Sequence, residues 1–182
     1  APESCSTCVM RSEKSPLIST KCPQDDAVYR CRLTLELERG CMMSLTSHDY
    51  EEIRQLLARY NFAIDFGDID SWVQTFTSDG VFRCLGLPDG APLGGTHEGE
   101  SALRAYAETH FSISQGRARH WNWNLLIEGN NDSATMKCYL NAYSGGQGDS
   151  ALFRATGVYR DRLSRTDEGW RFTEREVTID PA

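Results

Sequence analysis

The sequence has no long hydrophobic run, and this absence excludes a class of protein at the outset. No stretch of its 182 residues approaches the roughly 20 consecutive apolar residues of a membrane-spanning helix. The first residues also lack the charged, apolar and small-residue succession of a signal peptide. With 40% hydrophobic and 25% charged residues, the composition is typical of a globular protein with one full domain. We therefore predict a cytoplasmic protein with no membrane association.

An excess of positive charge is also missing. The net charge is −7, and residues 1–43 contribute none of it because they hold six basic and six acidic residues. The rest of the chain therefore carries 13 of the 19 basic residues and 20 of the 26 acidic ones. Nucleic-acid binding needs clustered Lys and Arg against the phosphates. We therefore exclude nucleic acid as a partner.

A second closely spaced pair of cysteines is missing as well. Cys5 and Cys8 have the spacing of half a zinc knuckle, but no similar pair follows, so we predict no metal site. Five of the seven cysteines lie in the first 41 residues. The other two, Cys84 and Cys138, fall in apolar strand patterns, which favours small buried side chains over nucleophiles.

The first 43 residues differ in character from the rest. They are rich in Ser, Thr, Pro and Cys and show no sustained helical period. We therefore predict an irregular, cysteine-rich leader over 1–43 and a single domain over 44–182. Met42-Met43-Ser44 resembles a start of translation, which suggests that the leader is non-native. The alternative is a native arm that packs on a partner subunit.

Three amphipathic helices are predicted in the first half of the domain. The first begins near Ser47 as its N-cap and ends at Gly67, and Asp68 can cap the second. The third spans roughly residues 100–111. Each has residues three or four positions apart along one face, which in the third helix are Leu103, Tyr106, Ala107 and His110.

The second half of the domain is predicted to be sheet. Four long segments with strand character lie at 119–128, 133–144, 151–165 and 170–180, separated by short turns typical of hairpins. A shorter strand at 81–85 precedes them, and the Gly- and Pro-rich stretch at 86–95 is a candidate lid over a pocket. Helices followed by a meander of strands indicate an α+β fold, with the helices on one face of a curved, mainly antiparallel sheet.

Candidate chemistry lies at the end of the first helix and the start of the first long strand. Tyr60 and Asp65 occupy the helix end, and His120 opens the strand with Asn122 and Asn124 on the same face. A histidine with a carboxylate on its other ring nitrogen is a competent general base, because the carboxylate fixes the tautomer and stabilises the imidazolium. A buried tyrosine hydroxyl can protonate a leaving group or bind an oxyanion.

Each of these residues also has a structural interpretation. Tyr60 lies about 140° from Asp65 around the helix, at 100° per residue, so it can be a core tyrosine that faces elsewhere. Asp65 can accept backbone N–H groups at the helix end, and His120 can be satisfied within the sheet. Periodicity predicts that the tryptophans are mostly core residues: Trp72, Trp121, Trp123 and Trp170.

Three arginines of the last two strands have two possible roles. Arg154, Arg171 and Arg175 are expected to form cross-strand pairs with acidic neighbours. An arginine that reached a cavity would instead indicate a carboxylate or another anionic substrate.

The order and spacing of these motifs resemble the SnoaL-like branch of the nuclear transport factor 2-like superfamily. The resemblance extends over residues 46–180, nearly all of the chain after the leader. The motifs that carry it are Tyr60 with Asp65, Gly67-Asp68, Trp72, Phe76, Asp79-Gly80, Arg119-His120 with Asn124, Gly157-Val158-Tyr159-Arg160-Asp161 and Gly169-Trp170-Arg171-Phe172. It implies a conical α+β barrel with a deep, largely apolar pocket and often a homodimer.

The resemblance also implies a function. Asp65 and His120 match the Asp/His pair of dehydratases in this superfamily, and Tyr60 matches a tyrosine of one of them. We therefore expect a cofactor-independent lyase of the dehydratase type, or a related polyketide cyclase or isomerase, that acts on a small apolar cyclic molecule. The expected catalytic residues are Tyr60, Asp65 and His120, and the expected substrate-binding residues are Asn122, Asn124, Trp72, His97 and Tyr139.

A second function stays open beside the enzyme. The chain can be a non-catalytic small-molecule binding domain, or an accessory subunit resembling the β subunit of ring-hydroxylating dioxygenases. A pocket in which Asp65 and His120 do not meet would indicate this alternative.

Overall fold

The computed structural model of the protein describes residues 44–145 and 150–181. The helices of these segments are α1 (Ser47–Phe66), α2 (Ile69–Val73) and α3 (Gly99–Ser114). The strands are β1 (Phe76–Leu85), β2 (Gly95–Glu98), β3 (Ala118–Gly129), β4 (Ser133–Ser144), β5 (Leu152–Thr166) and β6 (Gly169–Ile179). The predictions for the leader at 1–43 lie outside the described residues.

The strands form one six-stranded sheet in the order β2-β1-β6-β5-β4-β3. All neighbours pair antiparallel except β1 and β6, which are parallel. The long stretch of chain between these two strands provides the crossover connection that a parallel pair requires. The sheet does not close on itself, since β2 and β3 remain as its edges. The predicted α+β architecture, with three helices packed on one face of a mainly antiparallel sheet, is confirmed.

Helix α1 starts at a capping box rather than at the predicted cap Ser47. The N-cap is Thr46, whose hydroxyl accepts a hydrogen bond from the Asp49 backbone N–H, while its own N–H donates to the Asp49 carboxylate at 2.7 Å. Asp49 is buried and also accepts from the Trp170 indole at 3.3 Å. One carboxylate therefore both starts the helix and fastens it to the sheet.

Two short elements near the start of the sheet differ from the predictions. The strand predicted at 81–85 begins earlier, at Phe76, and its pairing with β6 shifts register between Phe76 and Val81. The predicted lid at 86–95 ends in β2, which pairs with β1 and places His97 opposite Phe82. A four-residue strand that begins with glycine is too short to show periodicity, so no local pattern predicts it.

The helices cover an aromatic core on the inner face of the sheet. Neighbouring rings of this core have centroids 4.7 to 6.0 Å apart. The six rings are those of Tyr60, Trp72, Phe76, Phe82, Tyr106 and Phe172. Such tilted and edge-to-face contacts add to the free energy gained from apolar burial. Trp72 and Trp170 are buried, as predicted.

The prediction that Trp121 and Trp123 are core residues is wrong. They are 51% and 56% exposed on the outer face of the sheet. Strand β3 is an edge strand whose polar residues His120 and Asn122 face the helices, so its large aromatic residues face away from them. Alternation showed that these residues share a face, but not which face is covered.

A buried ion pair lies beneath α1. The Arg175 guanidinium donates to the Asp161 carboxylate at 2.7 Å across β5 and β6, and both side chains are fully buried. The guanidinium also lies over the rings of Tyr60 and Tyr159, at 4.3 and 3.8 Å from their centroids. This is the cross-strand pair that was expected for Arg175.

Removal of one member of this pair is predicted to destabilise the fold strongly. Arg175→Met should lower the free energy of unfolding by about 3–5 kcal/mol, because the Asp161 carboxylate would be left buried without its counter-charge. The double variant Arg175→Met/Asp161→Leu should lose less than this single variant. Urea unfolding measures both, and Arg54→Met, at an exposed arginine of α1, is the control. A double variant less stable than Arg175→Met would contradict the prediction.

Candidate active site

Asp65 and His120 meet through two hydrogen bonds. Asp65 Oδ1 lies 2.5 Å from His120 Nδ1, and Asp65 Oδ2 accepts the backbone N–H of His120 at 3.0 Å. The carboxylate is buried, at 4% exposure. Because Nδ1 is engaged by the carboxylate, the ring is held in one orientation and Nε2 is the nitrogen left for a ligand.

The end of α1 brings the carboxylate to the strand. Gly67 stops the helix two residues after Asp65, in the left-handed conformation at φ 78°, and its N–H donates to the Ala63 carbonyl. A side chain at Gly67 would collide with the ring of Phe111 on α3. Glycine is therefore needed here both for the turn and for the close approach of the two helices.

The dyad opens onto a cavity of about 520 Å³ between α3 and the ends of β3 and β4. Its wall is mixed: apolar surface comes from Leu93, Ile113, Ala142 and Tyr143, and imidazole surface from His110 and His120. A largely apolar cavity with a few convergent polar groups is the usual form of a small-molecule site.

A second histidine shares this cavity. The His110 ring centroid lies 5.3 Å from that of His120, and the side chain is 6% exposed. Its Nδ1 is buried without a hydrogen-bond partner. Burial, followed by the nearby His120, lowers the pKa of His110 to about 4, so the ring is neutral at pH 7.

His110 continues the buried stripe of Leu103, Tyr106 and Ala107 along α3, on the face that the sequence predicts. That spacing was a sufficient signal to place it inside.

The structure does not bring Tyr60 to the dyad. Tyr60 is 2% exposed and packs among Trp72, Phe76 and Phe172. Burial raises its pKa to about 12, although Arg175 opposes this shift. The five-residue spacing turns Tyr60 and Asp65 to different sides of α1, so Tyr60 lies beside the buried ion pair.

The five predicted substrate-binding residues do not line the cavity. Asn122 is engaged with the Asn61 side chain at 2.8 Å and the Tyr139 carbonyl at 3.2 Å. Asn124 is exposed at a register shift of β3, with φ 57°. Tyr139 is 53% exposed on the outer face, and Trp72 is a core residue.

His97 has an intermediate position. It packs on Tyr106 with ring centroids 4.7 Å apart, and Tyr106 in turn packs on His110. Its Nε2 is buried without a partner, and burial lowers its pKa. His97 therefore lies behind the cavity wall formed by His110.

Other chemistries find little support in residues 44–145 and 150–181. No group of three or more His, Cys, Asp or Glu side chains there could hold a metal ion. Cys84 and Cys138 are buried free thiols whose pKa burial raises to about 11, so they are poor nucleophiles. None of the described helices has the length and apolar character needed to span a membrane.

Comparisons with known proteins agree on the fold. A protein of unknown function from Nostoc punctiforme with a cystatin-like fold is 27% identical, with 77% of this chain and 97% of that chain covered and a TM-score of 0.67. A protein from Catenulispora acidiphila in complex with S-DNPA is 24% identical, with 74% and 96% covered and a TM-score of 0.61. A similar protein from Novosphingobium aromaticivorans with a cystatin-like fold is described as NTF2-like. No curated protein matches the sequence.

One further structural relative is more similar in sequence, and a family model establishes the family. A protein of unknown function from Mycobacterium tuberculosis is 31% identical, with 72% of this chain and 71% of that chain covered and a TM-score of 0.63. The family model of the SnoaL-like domain matches residues 46–176. Since that model spans well over half of the sequence, the chain belongs to the SnoaL-like family of nuclear transport factor 2-like proteins.

Proposed function

We propose that the protein is a cofactor-independent lyase of the dehydratase type, or a closely related cyclase or isomerase, that acts on a small apolar cyclic molecule. The observation that carries this proposal is the 2.5 Å contact between Asp65 and His120 at the wall of the cavity. A structural relative solved with the small molecule S-DNPA supports ligand binding in this fold.

The dyad can perform an elimination by itself. His120 Nε2 takes a proton from the carbon next to a carbonyl, and the electron pair of that C–H bond moves into an enolate. Asp65 stabilises the imidazolium that forms. The enolate then re-forms the carbonyl and a carbon–carbon double bond as the C–O bond breaks, and the imidazolium returns its proton to the departing oxygen. The product is an enone and one water, with no redox change.

His110 supplies a position for the reacting hydroxyl. The Nδ1 nitrogen of its ring is buried in the cavity wall without a hydrogen-bond partner among the described residues. A neutral imidazole nitrogen of this kind accepts a hydrogen bond from a substrate O–H. His110 would therefore hold the leaving group beside His120, a role that does not need Tyr60.

The geometry favours the enzyme over the binding alternative. A pure binding domain or accessory subunit has no need for a buried carboxylate that fixes an imidazole tautomer at a cavity wall. The feature that would have indicated this alternative, a separation of Asp65 from His120, is absent, since the two side chains are hydrogen-bonded.

Loss of the base is predicted to abolish turnover. With a panel of cyclic β-hydroxy ketones, followed by the ultraviolet absorbance of the enone product, His120→Gln should lower kcat/KM by about 10²–10⁴-fold. Asp65→Asn should also lower it, because the tautomer is no longer fixed. The exposed His48→Gln is the matched control. If His120→Gln turned over a substrate as fast as the wild type, the proposed base would be refuted. If the wild type turned over no member of the panel, the binding function would be favoured.

A pH-dependent loss of stability is predicted from His110. Its pKa is about 4 in the folded protein and about 6.5 when unfolded, so the folded state resists protonation. The stability contributed by the neutral ring is present above pH 6.5 and is lost as the pH falls towards 4, up to about 3 kcal/mol. Urea unfolding from pH 7 to 4 should therefore show a smaller loss for His110→Gln than for the wild type and for His48→Gln. Equal losses in all three proteins would contradict the shifted pKa.

We also propose a homodimer formed through the outer face of the sheet. Trp121, Trp123 and Tyr139 are more than half exposed there and form an aromatic face. Next to it, Arg160 of β5 lies opposite Glu176 of β6, so the face carries basic and acidic strands side by side. In a dimer with two-fold symmetry the same surface of both subunits meets, so the basic strand of one subunit can face the acidic strand of the other.

The dimer is tested by molar mass. Light scattering after gel filtration should give about twice the chain mass for the wild type, and Trp123→Glu should shift it to the monomer because a buried charge would oppose the interface. Phe62→Glu, at an exposed aromatic residue of α1, should leave the mass unchanged. A monomeric wild type, or a dimer unaffected by Trp123→Glu, would rule out this interface.

A further inference from the structure

Among the described residues, the mouth of the active-site cavity carries positive charge without a carboxylate beside it. Apart from the two histidines, the only described residues of its wall whose side chains are charged at neutral pH are Arg117 and Arg154. No carboxylate side chain lines it among the described residues. This is unusual for a protein whose net charge is −7. The charge at the mouth therefore needs a local explanation.

A β-bulge turns Arg154 into the cavity wall. In the pairing of β4 with β5, Tyr143 lies opposite Phe153 and Ala142 opposite Ala155, which leaves Arg154 as an extra residue. Bulges commonly redirect a side chain beside a functional site. The Arg154 Nε donates to the Ser144 hydroxyl at 2.6 Å, so its fixed partner is neutral. The expected cross-strand pair with an acidic neighbour is not formed.

Arg117 is held at the same mouth from the other side. It lies between α3 and β3, where its backbone N–H donates to the Ser114 carbonyl and its own carbonyl accepts from Gly145. Within the described residues, its guanidinium donates a hydrogen bond only to the neutral Gln115 side chain, at 3.2 Å. Neither Arg117 nor Arg154 forms an ion pair with any carboxylate in the described part of the chain.

The neighbouring Arg119, in contrast, has a structural role. Its guanidinium donates to the backbone carbonyl of Gly116 at 2.9 Å and lies over the Phe66 ring at 4.5 Å. It does not line the cavity that holds the dyad. Arg117 and Arg154 have no comparable set of partners, which leaves most of their N–H donors for a ligand.

Unpartnered polar atoms line the path between the arginines and the dyad. The Ser114 hydroxyl and His110 Nδ1 are buried in the cavity wall without a hydrogen-bond partner among the described residues. The His110 residue as a whole is only 6% exposed. Ser144 pairs with Ala118, two residues from the His120–Ala142 pair. At about 3.3 Å per residue, the mouth lies roughly 7 Å from the dyad along the strands.

We propose that Arg117 and Arg154 form a subsite for a carboxylate group carried by the cyclic substrate. Guanidinium groups bind carboxylates through charge-assisted, often paired hydrogen bonds. The apolar ring of such a molecule would lie on Ile113 and Ala142, with its reacting carbon at His120. The proposal rests on the proposed function only in the placement of the reacting carbon, since the recognition of the acid is a matter of binding.

The test compares acids with their uncharged amides at equilibrium. Isothermal titration calorimetry measures Kd for naphthalene-2-acetate and naphthalene-2-acetamide, and for anthraquinone-2-carboxylate and its carboxamide. The wild type should prefer each acid by about fivefold or more, and the preference should shrink from 50 to 300 mM NaCl. Equal Kd values for acid and amide, or no binding of either acid, would overturn the subsite.

Variants assign the preference to the two arginines. Arg117→Gln and Arg154→Gln should each reduce it, and the double variant should abolish it, whereas Arg154→Lys should retain part of it. Arg54→Gln, which removes the same charge from the exposed side of α1, is the matched control. A preference that survives in the double variant would refute the assignment. Should the double variant fail to fold, Arg154→Lys and the salt dependence of the wild type decide the question.

The outcome is separable from that of the proposed reaction. The acid preference is an equilibrium property that needs no turnover, so it should persist in His120→Gln. If it persists while no substrate is turned over, the subsite stands and the lyase proposal falls. If turnover depends on His120 but acids and amides bind equally, the lyase stands and the subsite falls.

Discussion

The contact between Asp65 and His120 is the interaction on which the site depends. One carboxylate accepts hydrogen bonds from both the ring and the backbone of the same histidine. It therefore holds the end of α1 against the start of β3 and orients the imidazole at the same time. A buried carboxylate is costly unless its oxygens are satisfied, and here both are engaged by one residue. The cavity lies where this junction meets α3.

The interior holds two polar systems that serve different purposes. The first is the dyad with His110, which faces the cavity. The second is the Arg175–Asp161 pair, which is fully buried under aromatic rings. Tyr60 belongs to the second system, because its ring lies on the Arg175 guanidinium. Separation of the two systems leaves the dyad accessible to a ligand and keeps the deep pair out of solvent.

Local patterns predicted most of the fold. Helical stripes, capping residues and hairpin turns act over a few residues, and they located three helices and the four long strands. The features that were not predicted depend on contacts between elements that are distant in sequence. Strand β2 is formed by its contact with β1, and the exposure of Trp121 and Trp123 follows from which face the helices cover. Neither property is encoded within a short window of sequence.

The sequence by itself determined the family, the order of the elements and the candidates Asp65 and His120, because these follow from residue types at fixed spacings. Only the tertiary structure decided which side chains share the cavity. It joined His110 to the dyad and removed Tyr60 from it, since the rotation of each helix about its axis is set by packing. It also turned Arg154 into the cavity mouth through a bulge, whose position depends on the register between two strands.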